Sequence, residues 1–199
     1  MKTSKIIFIS FFCIIGLFLL SLLIQTEKKT RIDFFLTKAV LPPFSHLIIN
    51  DSEGIEVKLS TIDSIFIYHK PNTKALMPDY RLQKDTLFIT WPKHQNGMTW
   101  QNSINCSKLK SITLKHSKID LRGVNTDSLN ICILSNSNLQ CNMDHISLVK
   151  LEMSHSEAHF NTQQIKHIQA VARDSSQLFT WKVLRTDVTI DESSRYYSR

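Results

Sequence analysis

Four serines, Ser117, Ser137, Ser156 and Ser176, recur at steps of 20, 19 and 20 residues, and a hydroxyl is a potential nucleophile. Nucleophilic serines need a base within hydrogen-bond reach, commonly at a strained Gly-x-Ser-x-Gly elbow. None of the four sits in such an elbow; three are flanked as His116-Ser117-Lys118, Asn136-Ser137-Asn138 and His155-Ser156-Glu157. Repetition points instead to stacking, with hydroxyls bonding one another or the amides of a bend, each bond worth about 0.5 to 1.5 kcal/mol.

The segment His155-Ser-Glu-Ala-His159 places two imidazoles around a carboxylate. Metal binding by an i, i+4 pair needs a helix, and the order is not His-Glu-x-x-His. His116 and His155 share a repeat position but lie two repeats apart, too far to share one ion. Polysaccharide cleavage needs clustered carboxylates. In repeat register Asp120 aligns with Gln140 and His159, Glu152 with Thr113 and Ile133, Glu157 with Asn138 and Lys118, and Asp174 with Ser154 and Ser135, so no two acids stack on adjacent repeats. Cys13 lies in an apolar run, and Cys106, Cys132 and Cys141 read as small buried hydrophobes. The sequence therefore marks no catalytic, cofactor-binding or metal-ligating residue, and the chain is expected not to be an enzyme.

The elements that carry these residues follow from the same period. One unit reads Leu109, Ile112, Leu114, Ser117, Ile119, Leu121; later units read Leu129, Cys132, Leu134, Ser137, Leu139, Cys141, then Leu148, Leu151, Met153, Ser156, Ala158, Phe160, then Ile168, Val171, Arg173, Ser176, Leu178, Thr180. The i, i+2 pairs on either side of a polar bend are strand signals. Two short strands and two bends per unit, stacked in parallel about 4.8 Å apart, predict an all-β fold, the coils of a β-helix. A leucine-rich repeat would require an asparagine-bearing consensus and a returning helix, and neither is present. The expected inward columns are Ile112/Cys132/Leu151/Val171, Leu114/Leu134/Met153/Arg173 and Ile119/Leu139/Ala158/Leu178. Arg173 does not belong in a core, so the fourth unit is expected to slip by one residue onto Ala170 and Ala172.

Ile6 to Ile24 is an apolar run that as a helix would be about 28 Å long, near the hydrocarbon thickness of a bilayer. It is longer than the core of a signal peptide and lacks an Ala-x-Ala-like site after it, so one N-terminal transmembrane helix, an uncleaved signal anchor, is predicted. The expected organisation is an anchor with flanking charges over residues 1–31, a linker over 32–43 in which 34–40 prolongs the helix until Pro42-Pro43, and an ectodomain over 44–199. The formal charge is +7. Lys2, Lys5, Lys28, Lys29 and Arg31 against Glu27 and Asp33 account for +3 of it, and the dispersed remainder excludes a nucleic-acid stripe.

Ahead of the repeats, 47–50, 55–59, 64–68 and 86–91 read as strands. The order Phe44-Ser-His-Leu-Ile-Ile, Gly54-Ile-Glu-Val-Lys-Leu, Ser64-Ile-Phe-Ile-Tyr, Lys84-Asp-Thr-Leu-Phe-Ile, followed by serine-centred repeats, resembles the "putative autotransporter adhesin head", or GIN-domain, family of bacterial envelope proteins over roughly residues 44 to 196. The resemblance implies a right-handed parallel β-helix in the cell envelope with no established catalytic residues. Family members tend to place Gly beside the repeating Ser, where this chain carries His or Asn.

The expectation is a membrane-anchored, non-catalytic envelope protein, held in the inner membrane through Ile6–Ile24 with its C-terminal domain in the periplasm. Its role would be adhesion or the binding of an envelope protein or polysaccharide. The alternatives are a carbohydrate-active β-helix enzyme and an accessory structural subunit of an envelope complex.

Overall fold

The computed structural model describes Ile15 and residues 35–69, 77–91, 102–123, 125–143, 145–161 and 165–198. The run Ile6–Ile24 lies outside them, Ile15 excepted, as do Cys13 and the charges at 27–31. No helix among the described residues is long and apolar enough to cross a membrane. The chain divides into two units, Met1–Phe35 with Lys70–Asn72 and Leu36–His69 with Thr73–Arg199.

The second unit is all-β. The strands are β1 (Phe35–Val40), β2 (His46–Asn50), β3 (Glu53–Leu59), β4 (Ser64–His69), β5 (Asp79–Gln83), β6 (Thr86–Thr90), β7 (Asn102–Cys106), β8 (Ser111–Lys115) and β9 (Lys118–Arg122). They continue as β10 (Asn125–Leu134), β11 (Asn138–Asn142), β12 (His145–Ser154), β13 (Glu157–Asn161), β14 (Ile165–Arg173), β15 (Gln177–Trp181), β16 (Arg185–Ile190) and β17 (Arg195–Ser198). They form a nine-stranded sheet in the order β1-β4-β7-β3-β9-β11-β13-β15-β17 and an eight-stranded sheet in the order β16-β14-β12-β10-β8-β2-β6-β5. From β8 onward even strands enter the second sheet and odd strands the first, each parallel to its counterpart one repeat away. Inward side chains of both sheets form one apolar cluster, as alternation requires.

Three expectations are corrected. Residues 35–40 form strand β1, not a continuing helix; Phe35, Leu36 and Val40 remain exposed. The core columns are Ile112/Ile131/Leu151/Ala170 and Leu114/Ile133/Met153/Ala172, so the second unit slips as well as the fourth, and Cys132 is half-buried between Thr113 and Glu152. The column Ile119/Leu139/Ala158/Leu178 holds as expected.

The slip originates in the bend before each serine. Between Leu114 and Ser117 one residue, His116, is left-handed (φ 48), whereas between Ile133 and Ser137 two are, Ser135 and Asn136 (φ 56 each). His155 (φ 48) repeats the short bend and Asp174–Ser175 (φ 55 and 63) the long one. The extra residue of the long bend moves the preceding strand by one position and so exchanges its inner and outer sides. Asn, Asp and His are the non-glycine residues most often found in this conformation, and with them the chain dispenses with glycine at most of these bends.

The three thiols are protected by their positions. Burial, with the Asp63 carboxylate beside it, pushes Cys106 up to about 12. Burial and then Asp120 hold Cys141 well above its ordinary value, and desolvation and then Glu152 raise Cys132. Because the thiolate is the reactive form, iodoacetamide at pH 8 is expected to modify Cys132 first among the three, and Cys106 and Cys141 only after unfolding. Peptide mass spectrometry checks the order.

At the β16–β17 end, Asp191 closes the last turn. Its carboxylate accepts the Asp174 N–H (2.7 Å), the Ser193 N–H (3.2 Å) and the Ser193 hydroxyl (2.9 Å). These bonds, with the Ser194 hydroxyl contributing most, hold its carboxyl at about 2, below the ordinary 3.8. The folded value is the lower one, so the stabilisation is complete above the ordinary value and disappears as pH falls through about 2. Exchange of the Asp174 amide should therefore accelerate, beyond its intrinsic pH dependence, on passing from pH 5 to pH 2. Asp191→Asn should remove that acceleration.

Candidate functional site

The outer face of the nine-stranded sheet carries the most varied side chains. The residue three places after each repeating serine is outward, giving the row Asp120–Gln140–His159–Phe179–Tyr197, and β3 places Glu56 beside Asp120. A second row, five places after the serines, runs Lys58–Arg122–Asn142 and continues on β13 and β15 as Asn161–Trp181. Lys118, Asn138, Glu157, Gln177 and Arg195 form a third. Across the strands the first two rows change from charged to amide-bearing to aromatic, while the third alternates charged and amide side chains.

At the charged end Glu56 is almost fully buried, with Lys58 Nζ at 2.6 Å and Arg122 Nε at 3.4 Å. Arg122 also reaches Asp120, at 2.5 Å from Nη2, and Asp120 raises the guanidinium above its ordinary range. Two acids thus do stack on adjacent strands, contrary to the sequence expectation, because β3 lies against β9. Each is engaged by a cation, Glu56 by Lys58 and Arg122 and Asp120 by Arg122, so neither stands free as one of the two carboxyls that flank a scissile bond in a glycosidase. The two segments are alike in sequence, Ile55-Glu-Val-Lys58 echoing Ile119-Asp-Leu-Arg122 once Gly54 (φ 70) is recognised as an extra residue at a bulge, although the likeness alone does not make them neighbours.

At the aromatic end His159 stacks on Phe179 at 4.5 Å between centroids, and Phe179 on Tyr197 at 4.7 Å, nearly parallel in both cases. Strand spacing sets those distances. His159 Nε2 pairs with Glu157 at 2.5 Å. His155 lies in the bend, 3.9 Å from Asp174, so the two histidines of the suspected metal segment are directed to different acids. No group of three His, Cys, Asp or Glu among the described residues is arranged to hold a metal.

The repeating serines are buried and spent on the backbone. Each hydroxyl donates to a carbonyl of its own bend, as in Ser117 to Lys115 (2.8 Å) and Ser137 to Leu134 (2.6 Å), and accepts the N–H of the serine one repeat earlier. A different serine, Ser111, lies 2.6 Å from His46 Nδ1, and His46 Nε2 lies 3.5 Å from Asp85. This arrangement imitates a catalytic relay. The N–H groups of Ser45, His46, Lys110 and Ser111, however, all bond to backbone carbonyls, leaving none of these four to stabilise an oxyanion.

No family model matches the chain, and no curated protein matches it. Among solved structures it is similar to a "putative adhesin" from Bacteroides fragilis NCTC 9343, with 12% identity, 84% of this chain and 97% of that chain covered, and a TM-score of 0.49. It is similar to a "putative lipid binding protein" from Parabacteroides distasonis ATCC 8503, with 10% identity, 84% and 97% covered, and a TM-score of 0.42. A "putative cell adhesion protein" from Clostridium sporogenes ATCC 15579 gives 10% identity, 83% and 99% covered, and a TM-score of 0.41.

Proposed function

We propose that this is a non-catalytic binding protein of the cell envelope, anchored in the inner membrane through Ile6–Ile24. Its right-handed parallel β-helix, in the periplasm, presents the outer face of the nine-stranded sheet to an envelope component. The observation that carries the reading is the graded face itself: rows of unlike side chains, one per strand, held in register by parallel pairing. A rigid scaffold of that kind positions recognition groups at little entropic cost on binding. The anchor rests on the length and composition of the apolar run and the two lysines before it. The adhesive role rests on the face and on the resemblance to adhesin-head domains.

The test is to fractionate cells producing the full chain and digest spheroplasts with protease. The protein should remain with the inner membrane after high-salt washing, and its C-terminal domain should be cut from outside. The solubilised protein should retain envelope material that a variant with the outward face recharged, Gln140→Lys with Phe179→Lys, does not. Release by salt, protection of the domain, or equal retention by the variant would each reject the reading.

A further inference from the structure

A cleft of about 170 Å³ runs between two of the outward rows, with Gln140, His159 and Phe179 on one wall and Asn142, Asn161 and Trp181 on the other. Each wall changes from amide to aromatic in the same direction. Building on the envelope-binding reading, we propose that this cleft is a subsite for one ring of a neutral polysaccharide.

The chemistry selects the ligand. Among the described residues, the amide groups of Gln140 and Asn161 have no hydrogen-bond partner. Asn142 spends only its Nδ2, on Asp120 at 3.4 Å, and keeps its carbonyl oxygen. A side-chain amide offers a donor and an acceptor side by side, the pattern presented by neighbouring hydroxyls on a sugar ring. Trp181 keeps 43% of its surface exposed beside them, an apolar wall suited to the C–H side of the same ring.

The competing ligand classes fit less well. An apolar chain would desolvate amides on both walls without replacing their hydrogen bonds. A peptide adding as a strand needs a free sheet edge, whereas the strands beneath the cleft, β11 and β13, are paired on both sides. A strongly charged ligand finds no unpaired charge on either wall, since His159 is bound to Glu157 and the cations Lys58 and Arg122 are engaged with Glu56 and Asp120. The volume admits one ring, so affinity must come from repetition along a polymer; a single-ring dissociation constant on the order of 1 mM is expected.

The test uses the full chain in a zwitterionic detergent, because sugar-headed detergents would compete. Neutral hexose oligosaccharides, uronic-acid oligosaccharides and phosphatidylglycerol vesicles are titrated in turn, following the Trp181 indole N–H by NMR. Neutral oligosaccharides should shift that resonance saturably. Trp181→Ala, followed through the backbone amide of Asn161 because the indole is gone, and, independently, Gln140→Ala should weaken binding roughly tenfold with unchanged unfolding midpoints. Gln169→Ala on the other sheet should leave it intact. Absence of neutral-glycan binding, or binding indifferent to both cleft variants, overturns the subsite, as does a response to vesicles or acidic glycans alone. Each of these leaves the envelope reading standing if the chain still retains envelope material; loss of that retention in the unmodified chain rejects the broader reading itself.

Discussion

Truncation of Phe160 to alanine is expected to lower the unfolding free energy by about 3 to 5 kcal/mol, a large part of the roughly 5 to 15 kcal/mol by which native domains are commonly stable. Phe160 is 1% exposed and belongs to the inward row Leu121–Cys141–Phe160–Thr180. Its two neighbours in that row are short side chains. Across the core, β14 contributes the small Ala170 and Ala172 after the larger Ile165 and Ile168. The ring fills space that three units leave open, and the strands cannot close over its loss because hydrogen bonding fixes them at about 4.8 Å. The cavity should persist, which places the cost in the upper part of the large-to-small range. Phe179→Ala, one strand away but outward, removes a stacked ring worth about 0.5 to 1.5 kcal/mol and some half-buried area. Urea unfolding followed by tryptophan fluorescence separates the two. Equal midpoint shifts would mean that the inward and outward assignments of β13 and β15 are wrong.

How much of the fold is legible in the sequence depends on where the information resides. Strands β2, β3, β4 and β6 are visible at 47–50, 55–59, 64–68 and 86–91 because each alternates against a buried side. The row Ile119/Leu139/Ala158/Leu178 is correct because it is counted forward from the serine, across no bend of variable length. Counting backward crosses the bend, and there Cys132 and Leu134 displace Ile131 and Ile133. Both pairs are apolar, so hydrophobicity alone cannot choose between them. A run of apolar residues after the proposed anchor makes 34–40 look helical, yet its exposed side chains form a strand held at a sheet edge. β7 (Asn102–Cys106) carries two asparagines and a serine and shows little alternation.

The order of units in space is hidden too. β6 and β7 lie outside β2 and β3, although they come later in the chain, and this brings β3 against β9. The neighbourhood of Glu56 and Asp120 is a consequence of that pairing, and column arithmetic confined to the repeats cannot find it. The aromatic row is accessible in principle. Counting three residues on from Ser156, Ser176 and Ser194 reaches His159, Phe179 and Tyr197, but the apolar pattern that marks the other serines is missing around Ser194.

The serine ladder carries the second large effect. It is longer than the four repeats that reveal it: Trp91 N–H donates to Ser52 Oγ, and N–H groups of Ser52, Ser117, Ser137, Ser156 and Ser176 donate to the hydroxyls of Ser117, Ser137, Ser156, Ser176 and Ser194. Every accepting serine is buried. Each of Ser52, Ser117, Ser137, Ser156 and Ser176 donates its own hydroxyl proton to a carbonyl of its bend, two residues back where the bend is short and three where it is long. The hydroxyl therefore absorbs the difference between the two bends and lets unlike turns stack. Ser137→Ala should strand the Ser117 N–H, bonded at 3.1 Å, and the Leu134 carbonyl, at a cost of about 1 to 3 kcal/mol. Ser117→Ala should cost as much, since it releases the Ser52 N–H and the Ile49 and Lys115 carbonyls. Ser156→Ala should cost less, because the contact it receives from Ser137 is 3.4 Å long and weak. Equilibrium unfolding of the three variants gives the ranking, and amide exchange locates the damage one repeat before each substitution. Protection lost instead at the substituted bend alone would show that the hydroxyl caps only its own turn and couples no neighbours.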